Sequence, residues 1–157
     1  MLDDREQKIV DDIARVGWSL IGVKETYEAP SFVYSIGMMQ TLGHPEVIIF
    51  GLDVELMARI VNYIGEEIRT GRPFTEPGLY EGLIERFACK FLPVNKCHHA
   101  DYFGFALWHR WHLGQAGTLE AMQCLWPDKQ GLFPDEPGCN IEMARRQPLL
   151  DDRAQSM

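Results

Sequence analysis

The segment "EVIIFGLD", residues 46–53, runs without a break into "VELMARIVNYIGEEIR". This succession constrains the fold more than any other part of the chain. Val47, Ile48, Ile49 and Phe50 leave no polar face, so a strand made of them has to be covered on both sides. Asp53 then supplies a side chain of the type that caps a helix. Leu56, Met57, Ile60, Val61, Ile64 and Ile68 recur at helical spacing on one face, and Gly71 stops the pattern. A central strand followed by an amphipathic helix requires a layered structure of strands and helices.

The flanking segments extend that reading. Asp3 and Asp4 suit the cap of a first helix whose stripe is Ile9, Val10, Ile13 and Val16, with Gly17 ending it. "GWSLIGVKE" (17–25) and "SFVYSIG" (31–37) read as two strands of an antiparallel hairpin, with the turn at 26–30. The second alternates Phe32, Tyr34 and Ile36 against Val33 and Ser35. "QTLGHPE" (40–46) reads as a loop, and Pro73 and Pro77 bracket an extended loop over 72–82. "ERFACKFLPV" (85–94) places Phe87, Cys89 and Phe91 on one face of a strand that Pro93 closes. Residues 97–112 read as a third helix and "TLEAMQCLW" (118–126) as a further strand. A single domain over 1–139 is expected, with 140–157 a loose polar tail. The expected fold class is α+β: a mostly antiparallel sheet of about five strands with about three helices packed against it.

Composition narrows the function classes. The chain has 157 residues, enough for one proper core, and a formal net charge of -8. Such a surface repels phosphate backbones and excludes general nucleic-acid binding, while it suits a basic protein partner. The longest apolar runs fall far short of the roughly 20 residues of a membrane span. "MLDDREQ" at the start is acidic and unlike a signal peptide, so a cytoplasmic protein with reduced thiols is expected. The four cysteines form no CxxC, which argues against a zinc ribbon.

"CHHADYFGFALWHRWH" (97–112) holds four of the five histidines. On one continuous helix His98, Tyr102, Phe105, His109 and His112 share a face, and Phe103, Leu107 and Trp111, with Ala106 beside them, form the apolar face expected in the core. His109 and His112 are close enough to share one ion. His98 lies about three turns, roughly 16 Å, from His109, too far to join them. The pair is therefore at most half a zinc site, and otherwise the stretch is an aromatic helix with imidazoles. No cofactor is required by any motif. Cys97 becomes a reactive thiol if it sits at a helix N-terminus. His44 and Glu46, together in a loop before the central strand, suit acid–base work or the shaping of a turn. "PDKQGLFPDEPG" lacks the oxygen spacing of a calcium loop, and Asp128 with Gly131 fits a tight turn.

A resemblance is carried by "GW" at 17–18, "PSFVYSIGM" at 30–38, "HPEVIIFGL" at 44–52, Gly71 with Phe74, "ADYFGFALW", and "QCLWPDKQGLFPDEPG". In this order the motifs resemble the bacterial family catalogued as domain of unknown function 4262, over about residues 17–138. The resemblance implies a compact bacterial cytosolic domain. It draws attention to Tyr34, Gly37, His44, Pro45, Glu46, Gly51, Asp128 and Gly131, as cleft residues or as fold determinants. Asp135 departs from the pattern, which has an aromatic after its second "FP".

Two functions follow as expectations. The first is a binding protein, such as an immunity protein that occludes a basic toxin. Its contact candidates are Tyr102, Trp108, His109 and His112, with Asp128 a further binding candidate. The second is a small enzyme or ligand-binding domain in which His44 and Glu46, or Cys97, act in a pocket, with zinc at His109 and His112 possible. A small barrel holding flavin is compatible with the pattern, though no residue requires it.

Overall fold

The computed structural model describes residues 1–151. Its centre is a six-stranded mixed sheet with strands β1 (Ser19–Val23), β2 (Phe32–Ile36), β3 (Glu46–Phe50), β4 (Gly78–Ile84), β5 (Phe87–Pro93) and β6 (Ala121–Leu125), in the order β1-β2-β3-β6-β5-β4. All neighbours are antiparallel except β3 and β6, which run parallel with Glu46 opposite Ala121 and Ile49 opposite Cys124. Among the described residues six α-helices accompany it: α1 (Asp4–Val16), α2 (Met38–Leu42), α3 (Val54–Arg69), α4 (His99–Tyr102), α5 (Gly104–His112) and α6 (Ile141–Arg145). The α+β class stands. The sheet is larger than expected, and its centre is a parallel pair.

The apolar run at β3 explains the layering. Val47 and Ile49 face one side with Met57, Ile60, Val61 and Ile64 of α3, joined by Phe74, Phe91 and Trp126. Ile48 and Phe50 face the other side with Ile9 of α1 and Phe103 and Ala106 of the histidine-rich region. Alternation along a strand with both faces covered gives two cores, one on each side of the sheet. Asp53 sits at the N-cap of α3, but its side chain makes no capping hydrogen bond. At α1 the expected cap is complete: Asp3 and Glu6 form a reciprocal capping box.

Several local expectations are corrected. Residues 38–42, partly read as loop, form α2. The span 72–82 contains most of β4, an edge strand whose register against β5 is irregular between Tyr80 and Ile84. The histidine-rich run is not one helix. A 3-10 turn (Lys96–His98) leads into α4, Phe103 leaves the helical region at φ -115°, ψ 36°, and α5 starts afresh at Gly104. From residue 140, where polarity suggests a loose tail, the chain forms α6. Gln147 and Leu150 are buried there, and Leu150 accepts a hydrogen bond from the Asn95 amide at 2.6 Å. Residues 152–157 lie outside the described residues. Among the described residues no helix is long and apolar enough to cross a membrane.

Two glycines are demanded by close approaches. Gly37 has φ +103°, and a Cβ there would lie 2.7 Å from the Ile13 side chain of α1. Gly51 has φ +91°, and a Cβ there would meet Arg146 at 2.7 Å.

Candidate functional site

The end of β2, the short α2 and the start of β3 meet around one buried carboxylate. Glu46 is 1% exposed. Its Oε1 accepts hydrogen bonds from the Ser35 hydroxyl at 2.7 Å and the Met38 amide at 3.1 Å. Its Oε2 accepts from the Gly37 amide at 3.0 Å and the Met39 amide at 3.2 Å. Ser35 Oγ in turn accepts from the Val47 amide at 3.0 Å. The first amides of a helix have no carbonyl partner within it, and here a neighbouring strand delivers the cap. Burial pushes the Glu46 carboxyl up to about 7, while the four donated hydrogen bonds pull it down.

His44 is equally committed. Its Nε2 accepts from the Phe74 amide at 3.0 Å, so its Nδ1 carries the proton and donates to the Pro45 carbonyl at 2.7 Å. Burial holds the imidazole below its ordinary range, in keeping with the neutral form. His44 and Glu46 are thus near in sequence and both buried, yet His44 is occupied by backbone and Glu46 by three backbone amides and the Ser35 hydroxyl. Together they pin α2 and the 73–75 segment to the entrance of β3.

Asp128 is a loop organiser. Its carboxylate accepts from the amides of Gln130 and Leu132 at 2.9 Å each and from Asn140 at 2.8 Å. The Asn140 amide, then that of Leu132, holds it below the usual carboxylate range. Asp135 forms an ion pair with Lys90 at 3.1 Å and fastens this loop to β5. Cys97 is exposed in the 3-10 turn, with its amide capped by Asn95 at 2.9 Å. Cys89 and Cys124 are core residues of β5 and β6.

The contact candidates divide. Tyr102 packs edge-on against Phe32 and Phe50, with ring centres 5.5 and 5.1 Å away. His109 is 3% exposed, and burial, then the charges of Arg110 and His112, push its imidazole down to about 4. Trp108 is half-buried against the core on that side of the sheet, and the exposed His112 stacks on it, with ring centres 5.0 Å apart and planes 15° from parallel. Trp111, expected in the core, is 65% exposed beside them. The groove below this edge, about 360 Å³, is lined by Val10, Ile13 and Ala14 of α1, Thr41 of α2, and His112 and Leu113. Among the described residues no three His, Cys, Asp or Glu side chains come together as a metal site. His109 and His112 therefore remain at most a pair.

Two features escape a reading of the sequence. Trp111 looks like core because it is apolar and in phase with Phe103 and Leu107. His99 is buried, and its Nε2 has no hydrogen-bond partner. Only the burial pattern 99, 103, 106, 110 reveals it, and residue type gives no sign. A larger groove of about 780 Å³ lies at the start of α3, and its buried polar side chain, Ser31, already donates to the Leu52 carbonyl at 2.7 Å.

Compared with known proteins, residues 12–140 match the model of a family described as Domain of unknown function (DUF4262). No curated protein and no solved structure matches the chain.

Proposed function

Since the chain belongs to that family, whose description names no activity, we propose its role from the geometry: a protein-binding module that presents α5 to a basic partner. One observation carries this reading, the outward placement of Trp111 next to the Trp108–His112 stack. An indole in water forfeits the apolar burial its size offers, and Trp is the residue type most enriched where a partner supplies that burial. The adjoining groove between α1, α2 and α5 offers a seat for an apolar side chain of the partner. The net charge of -8 supplies long-range attraction to a basic surface. A basic toxin neutralised in a bacterial cytoplasm is the partner class that suits a small acidic chain of this kind.

The alternative, a small enzyme or ligand-binding domain built on His44 and Glu46 with or without zinc, has less behind it. Both side chains are taken up by structural partners, the backbone and, for Glu46, also the Ser35 hydroxyl.

The test is native mass spectrometry of the untagged chain purified from its own host, compared with a Trp108→Ala/Trp111→Ala variant. A stoichiometric complex with a basic protein is expected for the wild type. It should be absent for the variant, with its circular dichroism spectrum unchanged. A bare wild-type chain, or a complex indifferent to the two substitutions, overturns the reading.

A further inference from the structure

The groove of about 360 Å³ between α1, α2 and α5 has at its floor an imidazole that the fold leaves unused. His109 lines it and is 3% exposed, the buried member of a lining whose other residues are half-buried or exposed. Among the described residues its ring nitrogens have no hydrogen-bond partner, and unlike Nε2 of His98 and of His99 they are not sealed from solvent. The groove is the space that this remaining access opens on. Buried polar groups are nearly always hydrogen-bonded, so an unpaired but reachable imidazole marks a place for an incoming polar atom.

The lining indicates what kind of group enters. Burial, and then the charges of Arg110 and His112, push the His109 imidazole down to about 4, so it is neutral at neutral pH. A neutral imidazole has one N–H to donate and one lone pair to accept with. Among the described residues no Asp or Glu lines the groove, so a lysine or arginine of a basic partner would lose its hydration there without a counter-charge. No Lys or Arg lines it either, and His112 stands at the exposed rim. A hydroxyl costs less to bury than a charge, and it donates or accepts as the facing nitrogen requires. Above the floor Val10, Ile13 and Leu113 supply half-buried aliphatic surface. The matching group has an apolar body and a hydroxyl tip. Among side chains that is tyrosine, which is also enriched at the centres of protein interfaces.

We infer that this groove receives a tyrosine side chain of the partner, its hydroxyl hydrogen-bonded to a ring nitrogen of His109. The inference rests on the protein-binding reading and names the residue type that enters beside α5.

The experiment is a titration of full-length, ¹⁵N-histidine-labelled protein with N-acetyltyrosinamide, read by the imidazole resonances. N-acetylphenylalaninamide, N-acetyllysinamide and p-cresol serve as comparison probes. The blocked tyrosine is expected to move the His109 ring signals saturably. The blocked phenylalanine should bind at least about threefold more weakly, for want of one hydrogen bond, and the blocked lysine should have no effect. Ala14→Leu, a change at an exposed position of α1 that narrows the groove, should abolish the response. His109→Phe should erase the preference for tyrosine over phenylalanine. The proposal is overturned by His109 signals that ignore the blocked tyrosine, by equal or tighter binding of the phenylalanine or lysine probe, or by binding that Ala14→Leu leaves unchanged. A response to p-cresol without one to the blocked tyrosine also overturns it, since that assigns the groove to a free phenol. A bare chain in the native mass spectrum is instead the failure of the protein-binding reading, and the titration, which needs no partner, keeps the two failures apart.

Discussion

The Glu46 carboxyl ties the stability of this fold to pH in a way that can be worked from its surroundings. Burial raises it from the ordinary 4.5 to about 7 in the folded chain. The folded state therefore holds a proton that the unfolded state releases. The associated stability is fully present below 4.5 and is lost as pH rises to about 7. At about 1.4 kcal/mol per pH unit, a difference of about 2.5 units amounts to roughly 3 kcal/mol. Glu46→Gln removes the titration. It also turns an amide NH2 toward two of the four donors, at a constant cost of about 1–3 kcal/mol. The measurement is the unfolding free energy of both proteins in urea, at intervals from pH 4.5 to 8. Other titrating groups, such as Asp12 and Asp128, cancel in the difference between the two. Wild type minus Glu46→Gln should shrink by about 3 kcal/mol across that window. A difference that stays level or grows with pH refutes the reasoning. It would mean that the hydrogen bonds from Ser35, Gly37, Met38 and Met39 outweigh burial, and that the site holds an ionised carboxylate throughout.

Gly65→Ala tests packing against intrinsic preference. Alanine gains about 1 kcal/mol over glycine in a helix interior, but a Cβ at residue 65 would lie 2.5–2.8 Å from the Trp18 indole. That ring is held by the Asn62 side chain at 2.9 Å and by the Arg69 guanidinium stacked 4.8 Å above it. A net loss of about 1–2 kcal/mol in thermal melting is expected, and a rise in melting temperature would show that the indole yields freely. Asp128→Ala should expose residues 129–139 to limited proteolysis while the wild type resists, because three loop amides lose their acceptor. Asp128→Asn, which keeps one oxygen, should fall between them, and equal cleavage rates for all three would deny the carboxylate its organising role.

The elements legible in the sequence are those whose pattern belongs to the segment itself. β3 and α3 show unbroken periodicities, and α1 carries both halves of its capping box. The elements missed owe their existence to distant partners. "MMQTL" has no stripe, and α2 forms where Glu46 of β3 receives its first amides. "GLYEGLI" carries two glycines and follows Pro77. It becomes β4 only through pairing with β5, at a sheet edge where a clean apolar alternation is not needed. The parallel pairing of β3 with β6 joins segments separated by α3, β4, β5, α4 and α5, and no local pattern records which strands become neighbours.

The histidine-rich stretch divides differently. Sorting it by residue type assigns Phe103, Leu107 and Trp111 to the core and the imidazoles to the outside. Gly104 already marks a weak point in that helix, and the chain breaks beside it. On either side of the break the buried positions include His99, His109 and Arg110, and Trp111 is left in water. Arg110 is satisfied by the side chains of Thr118 and Gln115, whereas His99 Nε2 is not. Stability alone favours the opposite arrangement, with the indole inside and the imidazoles outside. A sequence that departs from local rules without compensation marks the places selected for something else. Here the departures are an indole without cover on α5 and two buried imidazole nitrogens, Nε2 of His98 and of His99, without a partner among the described residues. The uncovered indole is what the protein-binding reading builds on, and the double tryptophan variant tests it.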